Sequence, residues 1–217
     1  MEIVKMESGD PPREALGEVD RILSDGGVVC LPCNGTYRLF ADVTNEDAVM
    51  RLFQSKRRVH KAPCLVFIDD ISSLHKVSDT VDPVALALTK KLWPAPLTIL
   101  FSASKNLPRR VVRELTKANG KLGIRIPQNP LSQQVVESFG GPLLVSSANR
   151  GQKSGETSPA QVRQNFLGRI DYFIDAGDLN RVPSSTVIDI ENNAIDFVRL
   201  GAISRETIEG IAAAATN

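Results

Sequence analysis

The chain is poor in the residues that build redox and metal centres, with three cysteines and two histidines in 217 residues. Cys30, Cys33 and Cys64 make an odd set in a chain large enough to fold without disulfides, which fits a reducing compartment. Cys30-Leu31-Pro32-Cys33 has C-x-x-C spacing. A redox pair of that kind opens a helix after a strand, however, and a zinc site needs a second pair or histidines at ligand spacing. His60 and His75 are isolated, and Pro32 with Asn34-Gly35 suits a loop. The favoured reading is therefore a strand-end Cys30 and a loop Cys33, ahead of a redox or metal role. Excess charge is lacking too: 26 basic against 25 acidic residues argue against a broadly basic nucleic-acid-coating surface, while leaving room for a local positive groove. No apolar run reaches the roughly 18–20 residues that span a bilayer, and the first residues carry no signal-peptide core. The expectation is a soluble, cytoplasmic protein. Repeats, low-complexity linkers, a Walker G-x-x-x-x-G-K-[ST] loop and a Rossmann G-x-G-x-x-G turn are absent as well.

What is present is an alternation of helical and strand patterns, which predicts an α/β architecture. With 42% hydrophobic residues the chain can bury a substantial core, and a single domain over 1–217 is the simplest division. Residues 12–24 carry Leu16, Val19, Ile22 and Leu23 on one helical face and stop at Gly26-Gly27. Asn45 can cap a second helix, Asp82-Pro83 and Asn129-Pro130 open two more, Ser158-Pro159 another, and Ser204 the last. Apolar runs at 28–31, 64–68, 97–101, 122–126, 143–145, 172–174, 186–190 and 197–198 read as strands. Residues 102–120 carry Lys105, Arg109, Arg110, Arg113 and Lys117, a run that is usually a solvated face, with nucleic-acid contact as the alternative.

Two polar clusters each stand beside a stretch that reads as a strand: Lys56-Arg57-Arg58 and Ser146-Ser147-Ala148-Asn149. The first, taken alone, reads as a solvated helix C-terminus. The loop after the second holds Gly151, Ser154, Gly155 and Thr157, small residues that let backbone N–H groups approach a phosphate, although such a loop alone is more often only a loop. Fixed positive charge with hydroxyl and amide donors is the chemistry of a polyphosphate site.

Pro32, Tyr37, Leu39-Phe40-Ala41-Asp42, Lys56-x-Arg58, Trp93-Pro94-Ala95-Pro96-Leu97-Thr98, Arg125-Ile126-Pro127, Ser147-Ala148-Asn149, Ser154-Gly155, Ser185-Thr186-Val187 and Arg199-x-Gly201 together resemble the YrdC/TsaC family of threonylcarbamoyl-AMP synthases. The resemblance runs over roughly residues 12–205. It implies a twisted mixed α/β sheet around a concave, positively charged cavity. The implied reaction joins L-threonine, bicarbonate or CO2 and ATP into threonylcarbamoyl-adenylate with release of pyrophosphate, for threonylcarbamoyladenosine modification of tRNA. By the same resemblance Lys56 and Arg58 would grip the phosphates, and Ser147 and Asn149 would orient nucleotide and carbamate. Arg58, Asn149, Ser154 and Arg199 would hold the nucleotide. Cys33, Tyr37, Phe67, Arg125, Ser147 and Ser185 would face the amino acid. Mg²⁺ would accompany ATP, with no acidic cluster to declare a protein-built metal site.

The chain departs from that family on the amino-acid side. Its first motif normally reads P-T-[ED]-T-x-Y-G-L, where this chain has Pro32-Cys33-Asn34-Gly35-Thr36-Tyr37-Arg38-Leu39. Cys33 and Gly35 replace threonines, Arg38 replaces a glycine, and Phe67 stands where many members have a histidine. Two readings stay open, the first favoured by Lys56, Arg58, Ser147 and Asn149. One is an enzyme forming threonylcarbamoyl-AMP, or using another amine. The other is a protein of the same fold that binds nucleotide, tRNA or double-stranded RNA and catalyses little. Downstream tRNA-modifying proteins would take the product.

Overall fold

A computed structural model of the chain describes residues 1–6, 13–57, 65–116, 119–150 and 155–216. In chain order its strands are β1 (Glu2–Lys5), β2 (Val29–Cys33), β3 (Thr36–Asp42), β4 (Leu65–Phe67), β5 (Leu97–Ser102), β6 (Lys121–Arg125), β7 (Leu143–Ser147), β8 (Tyr172–Asp175), β9 (Thr186–Glu191) and β10 (Ala194–Arg199). The helices are α1 (Arg13–Ser24), α2 (Glu46–Ser55), α3 (Pro83–Leu92), α4 (Arg109–Leu115), α5 (Pro130–Phe139), α6 (Pro159–Phe166) and α7 (Arg205–Thr216), with a 3-10 helix at Ile71–Lys76. The strands form one mixed sheet in the order β1-β8-β2-β3-β7-β4-β6-β5-β9-β10. No helix among the described residues is long and apolar enough to cross a membrane.

The helix signals act as expected. Asn45 Oδ1 accepts the N–H groups of Asp47 and Ala48 at 3.0 and 3.1 Å, a cap worth about 1 kcal/mol. Gly140, with φ of 69°, closes α5 in the left-handed conformation. In the basic stretch α4 buries Val111 and Leu115, while Lys105, Arg109, Arg110 and Arg113 stay exposed; Lys117 lies outside the described residues.

Pleating sends alternate side chains to opposite faces of the sheet, and each face has its own core. One holds Tyr37, Leu39, Val66, Ile99, Ile124 and Leu144 against α2, α3 and α7. The other holds Leu31, Phe40, Phe67 and Val145 against Leu23 of α1 and Val135 and Val136 of α5.

Two strands were not foreseen. β1 is short, mostly exposed and held by its parallel pairing with β8, so it has no hydrophobic pattern of its own. β3 is central and pairs antiparallel with both β2 and β7. Its mixture of polar and apolar residues reflects one face on a core and one on a cleft. The β2–β3 connection also corrects the expected loop: Cys33 pairs with Thr36 as the last residue of β2 and is 1% exposed. Only Asn34 and Gly35 form the turn, with φ of 49° and 71°, the left-handed pair that matches the twist of two-residue hairpins.

Candidate functional site

A cleft of about 650 Å³ opens on the sheet face that carries Arg38, Gly123, Arg125, Val145 and Ser147. Its other wall is the segment from Arg181 to Ser185, with Val187, Arg199 and Ala202. Four arginines line it, Arg38, Arg125, Arg181 and Arg199, with no carboxylate among the described lining residues. Thr36, Thr98, Gln128 and Ser184 add neutral polar groups. This donor set fits an anion.

At one end, α2 delivers Lys56 beneath the C-terminal end of β7. Lys56 is 7% exposed, so this is no solvated helix end. Its ammonium donates to Ser146 Oγ at 2.7 Å and to the Ser147 carbonyl at 2.5 Å, with Ser147 Oγ at 3.5 Å. Ser147 Oγ in turn donates to Asn149 Oδ1 at 3.0 Å. Lys56, Ser147 and Asn149 are thus brought together as expected of one site. Ser146, which lies just outside the Ser147-Ala148-Asn149 motif, makes the shorter hydroxyl contact. Arg58 and Ser154 lie outside the described residues.

At the other end, Arg125 pairs in register with Phe67, and its guanidinium stacks 5.0 Å from that ring's centroid. Arg125 is 3% exposed, and among the described residues its Nε has no hydrogen-bond partner. Burial pushes its pKa down to about 10; Cys33 partly offsets this, and the nearby charges of Arg38 and Arg199 add to it. Arg199 donates through Nε to the Ser185 carbonyl at 3.1 Å and through Nη2 to Ser185 Oγ at 3.2 Å. Ser185 and Arg199 were expected to face different substrates, and the fold makes them one unit. Gly201 permits this approach, since a Cβ there would stand 2.2 Å from the Ser184 carbonyl oxygen.

Three amino-acid-side expectations change. Tyr37 lies between Thr36 and Arg38 in β3, so the pleat turns it to the opposite face, where it is fully buried. Its hydroxyl donates to the Gly177 carbonyl at 2.6 Å and accepts from Ala176 N–H at 3.0 Å, a structural role. Cys33 and Phe67 are on the correct face but belong to its apolar core, and neither lines the cleft. Phe67 acts as the platform beneath Arg125.

The sequence reading missed Arg181, which donates to the Gly155 carbonyl at 3.2 Å, and gave Arg38 no role. Alternation with Thr36 along β3 would have placed Arg38 on the cleft face, had that strand been recognised. Gly35 also gains a function: a Cβ there would meet the Asn180 carbonyl oxygen at 2.2 Å, so glycine lets the segment leading to Arg181 close over the hairpin turn.

The sequence model of the Sua5/YciO/YrdC family, described as telomere recombination, matches residues 21–201. Threonylcarbamoyl-AMP synthase of Pyrococcus abyssi is 29% identical over 189 residues, covering 87% of this chain and 54% of the relative. The Bacillus subtilis synthase is 28% identical over 207 residues, covering 95% and 58%. The chain therefore spans little more than half the length of these relatives. The crystal structure of Pyrococcus abyssi Sua5 complexed with L-threonine superposes with a TM-score of 0.83 at 27% identity, covering 97% of this chain and 60% of that one. Escherichia coli YciO superposes at 0.80 with 26% identity, covering 94% and 98%. The order of motifs along the chain, the mixed sheet and the matched span agree, and the chain belongs to the Sua5/YciO/YrdC family.

Proposed function

We propose that this protein is an ATP-dependent nucleotidyltransferase that forms threonylcarbamoyl-AMP from L-threonine, bicarbonate or CO2 and ATP, for the threonylcarbamoyladenosine modification of tRNA. The observation that carries this reading is that Ser146 and Ser147 line the same cleft as four arginines, with Lys56 and Asn149 bonded to them from behind and no carboxylate among the described lining residues.

The chemistry asks for what this set offers. Threonine and bicarbonate condense to the N-carboxylate with loss of water. One oxygen of that carbamate then attacks the α-phosphorus of ATP, forming the new P–O bond as the bond to the β-phosphate oxygen breaks and its electron pair leaves with pyrophosphate. Both reactants are anions, so charge must be neutralised while they are held in line. Lys56 and Arg58 would neutralise the phosphates, Ser147 and Asn149 would orient nucleotide and carbamate, and Ser154 would add a nucleotide contact. Arg199, braced by Ser185, would hold the nucleotide, and Arg125 would take the threonine carboxylate. The arginines, hydroxyls and amides that line the cleft suit anions, so Mg²⁺ is expected as part of the MgATP substrate.

A second reading, a nucleotide- or RNA-binding protein with little catalysis, is favoured by one observation: Lys56 donates to Ser146 and Ser147 and does not line the cleft. Pyrophosphate release from ATP with bicarbonate and threonine separates the two. Turnover is expected in the wild type, with a loss of about 10²-fold or more in Lys56→Ala. Nucleotide binding without amine-stimulated pyrophosphate release would overturn the enzyme reading.

A further inference from the structure

We propose that Arg38 and Arg125 form a two-anion station, in which Arg125 receives the amino acid's α-carboxylate and Arg38 binds the second carboxylate, the one that bicarbonate contributes to nitrogen. This rests on the proposed reaction and gives Arg38 a part in it beside Ser147 and Asn149.

The first argument is positional. In the β3–β7 ladder Arg38 pairs directly with Ser147, and both side chains lie on the cleft face. Ser147 is the hydroxyl that, with Asn149, stands where nucleotide and carbamate meet. A guanidinium beside it is therefore at the junction of the two reactants. Arg125 lies on β6, separated from β3 by β7 and β4, with Phe67 beneath it. The two cations approach the cleft from either side of Ser147 and Val145.

The second argument is electrostatic and steric. The four lining arginines do not have equal freedom. Arg181 is bonded to the Gly155 carbonyl and Arg199 to Ser185. Arg38 and Arg125 each bury an Nε with no hydrogen-bond partner among the described residues, and no described carboxylate offsets the charge of Arg125. A buried donor on a charged group is costly to leave unmade, and a planar guanidinium answers best to a carboxylate. The charge of Arg38 also disfavours the charged form of Arg125. Where the two long side chains converge on the cleft, a dianion with a carboxylate at each end of a short backbone would answer both guanidiniums at once. The N-carboxylated amino acid, ⁻OOC–NH–CHR–COO⁻, is such a dianion. It forms as RNH₂ + HCO₃⁻ → RNHCOO⁻ + H₂O, so one negative charge is carried through and water is released. Held by Arg38, its carbamate end would face the nucleotide, and the α-carboxylate would be anchored away from it.

Succinate is the methylene isostere of N-carboxyglycine and needs no turnover to be tested. Calorimetry with succinate and with butyrate, on wild type and Arg38→Gln, measures the second-carboxylate preference directly. Wild type is expected to prefer succinate by about tenfold or more, and Arg38→Gln to lose that preference with a melting temperature no lower than wild type. Arg181→Gln, which removes the same charge from the cleft, is expected to retain it. Equal binding of the two acids by wild type, an unchanged preference in Arg38→Gln, or equal losses in both variants would overturn the station. In the pyrophosphate assay, Arg38→Gln is expected to raise the KM for bicarbonate about tenfold with the KM for ATP nearly unchanged. If aspartate replaces threonine as the preferred amine, and does so only when Arg38 is present, Arg38 serves a side-chain carboxylate and the assignment fails. A wild type that discriminates succinate but releases no pyrophosphate with any amine would overturn the reaction and leave the dianion site standing.

Discussion

Arg125 gives the sharpest quantitative test, because a residue kept for its ligand should cost the free fold stability. Its guanidinium is 3% exposed, stacked on Phe67, unpartnered at Nε and pushed down to a pKa of about 10. Arginine is a base, and its folded pKa lies below its unfolded value. The protonated form is therefore the one the fold disfavours: the penalty is complete below about pH 10 and fades as pH rises toward the unfolded pKa. At about 1.4 kcal/mol per pH unit the depression corresponds to about 3 kcal/mol at neutral pH. Arg125→Met keeps an unbranched apolar chain over Phe67, removes the buried charge and forfeits a cation–π contact of about 1 kcal/mol. The balance is a net gain of about 2 kcal/mol. For a chain of this size that raises the melting temperature by about 4–8 °C. Thermal and urea melts at pH 7 measure it, and added succinate should then raise the melting temperature of wild type and not of the variant. A melting temperature equal to or below wild type would refute the reasoning, because it would mean that the charge is compensated inside the fold.

Tyr37→Phe removes a buried hydroxyl that serves Gly177 and Ala176, so a loss of about 1–2 kcal/mol in urea denaturation is expected, with the KM for threonine within about twofold of wild type. A selective rise in that KM would return Tyr37 to the substrate side. Gly35→Ala places a β-carbon in a backbone with φ of 71° and against the Asn180 carbonyl oxygen. The conformation alone costs about 1–2 kcal/mol, and displacement of the segment that ends in Arg181 and Ser185 should weaken nucleotide binding as well. An unchanged urea midpoint would contradict the close packing of that segment on the hairpin.

The legible parts of the sequence were those whose signals are local. Asn45, Asp82-Pro83, Asn129-Pro130 and Gly140 cap helices through atoms a few residues away, and continuous apolar runs such as Leu143 to Val145 can be satisfied only inside a sheet. β3 escaped notice because its pattern answers to two environments at once, a core through Tyr37, Leu39 and Ala41 and a cleft through Thr36 and Arg38. Tyr37 was assigned to the substrate by its place in a motif. A one-residue step along a strand reverses the face, and only recognising the strand could have corrected it.

By itself the sequence determined the α/β class, most of the elements and the expectation that Lys56, Ser147 and Asn149 lie together. These follow from periodicity, capping and the order of motifs. Only the tertiary structure decided which cations are already bonded, Arg181 and Arg199, and which are left facing the cleft, Arg38 and Arg125. Hydrogen-bond satisfaction depends on atoms brought together from β3, β6, β10 and the segment from Arg181 to Ser185. No spacing along one chain encodes it.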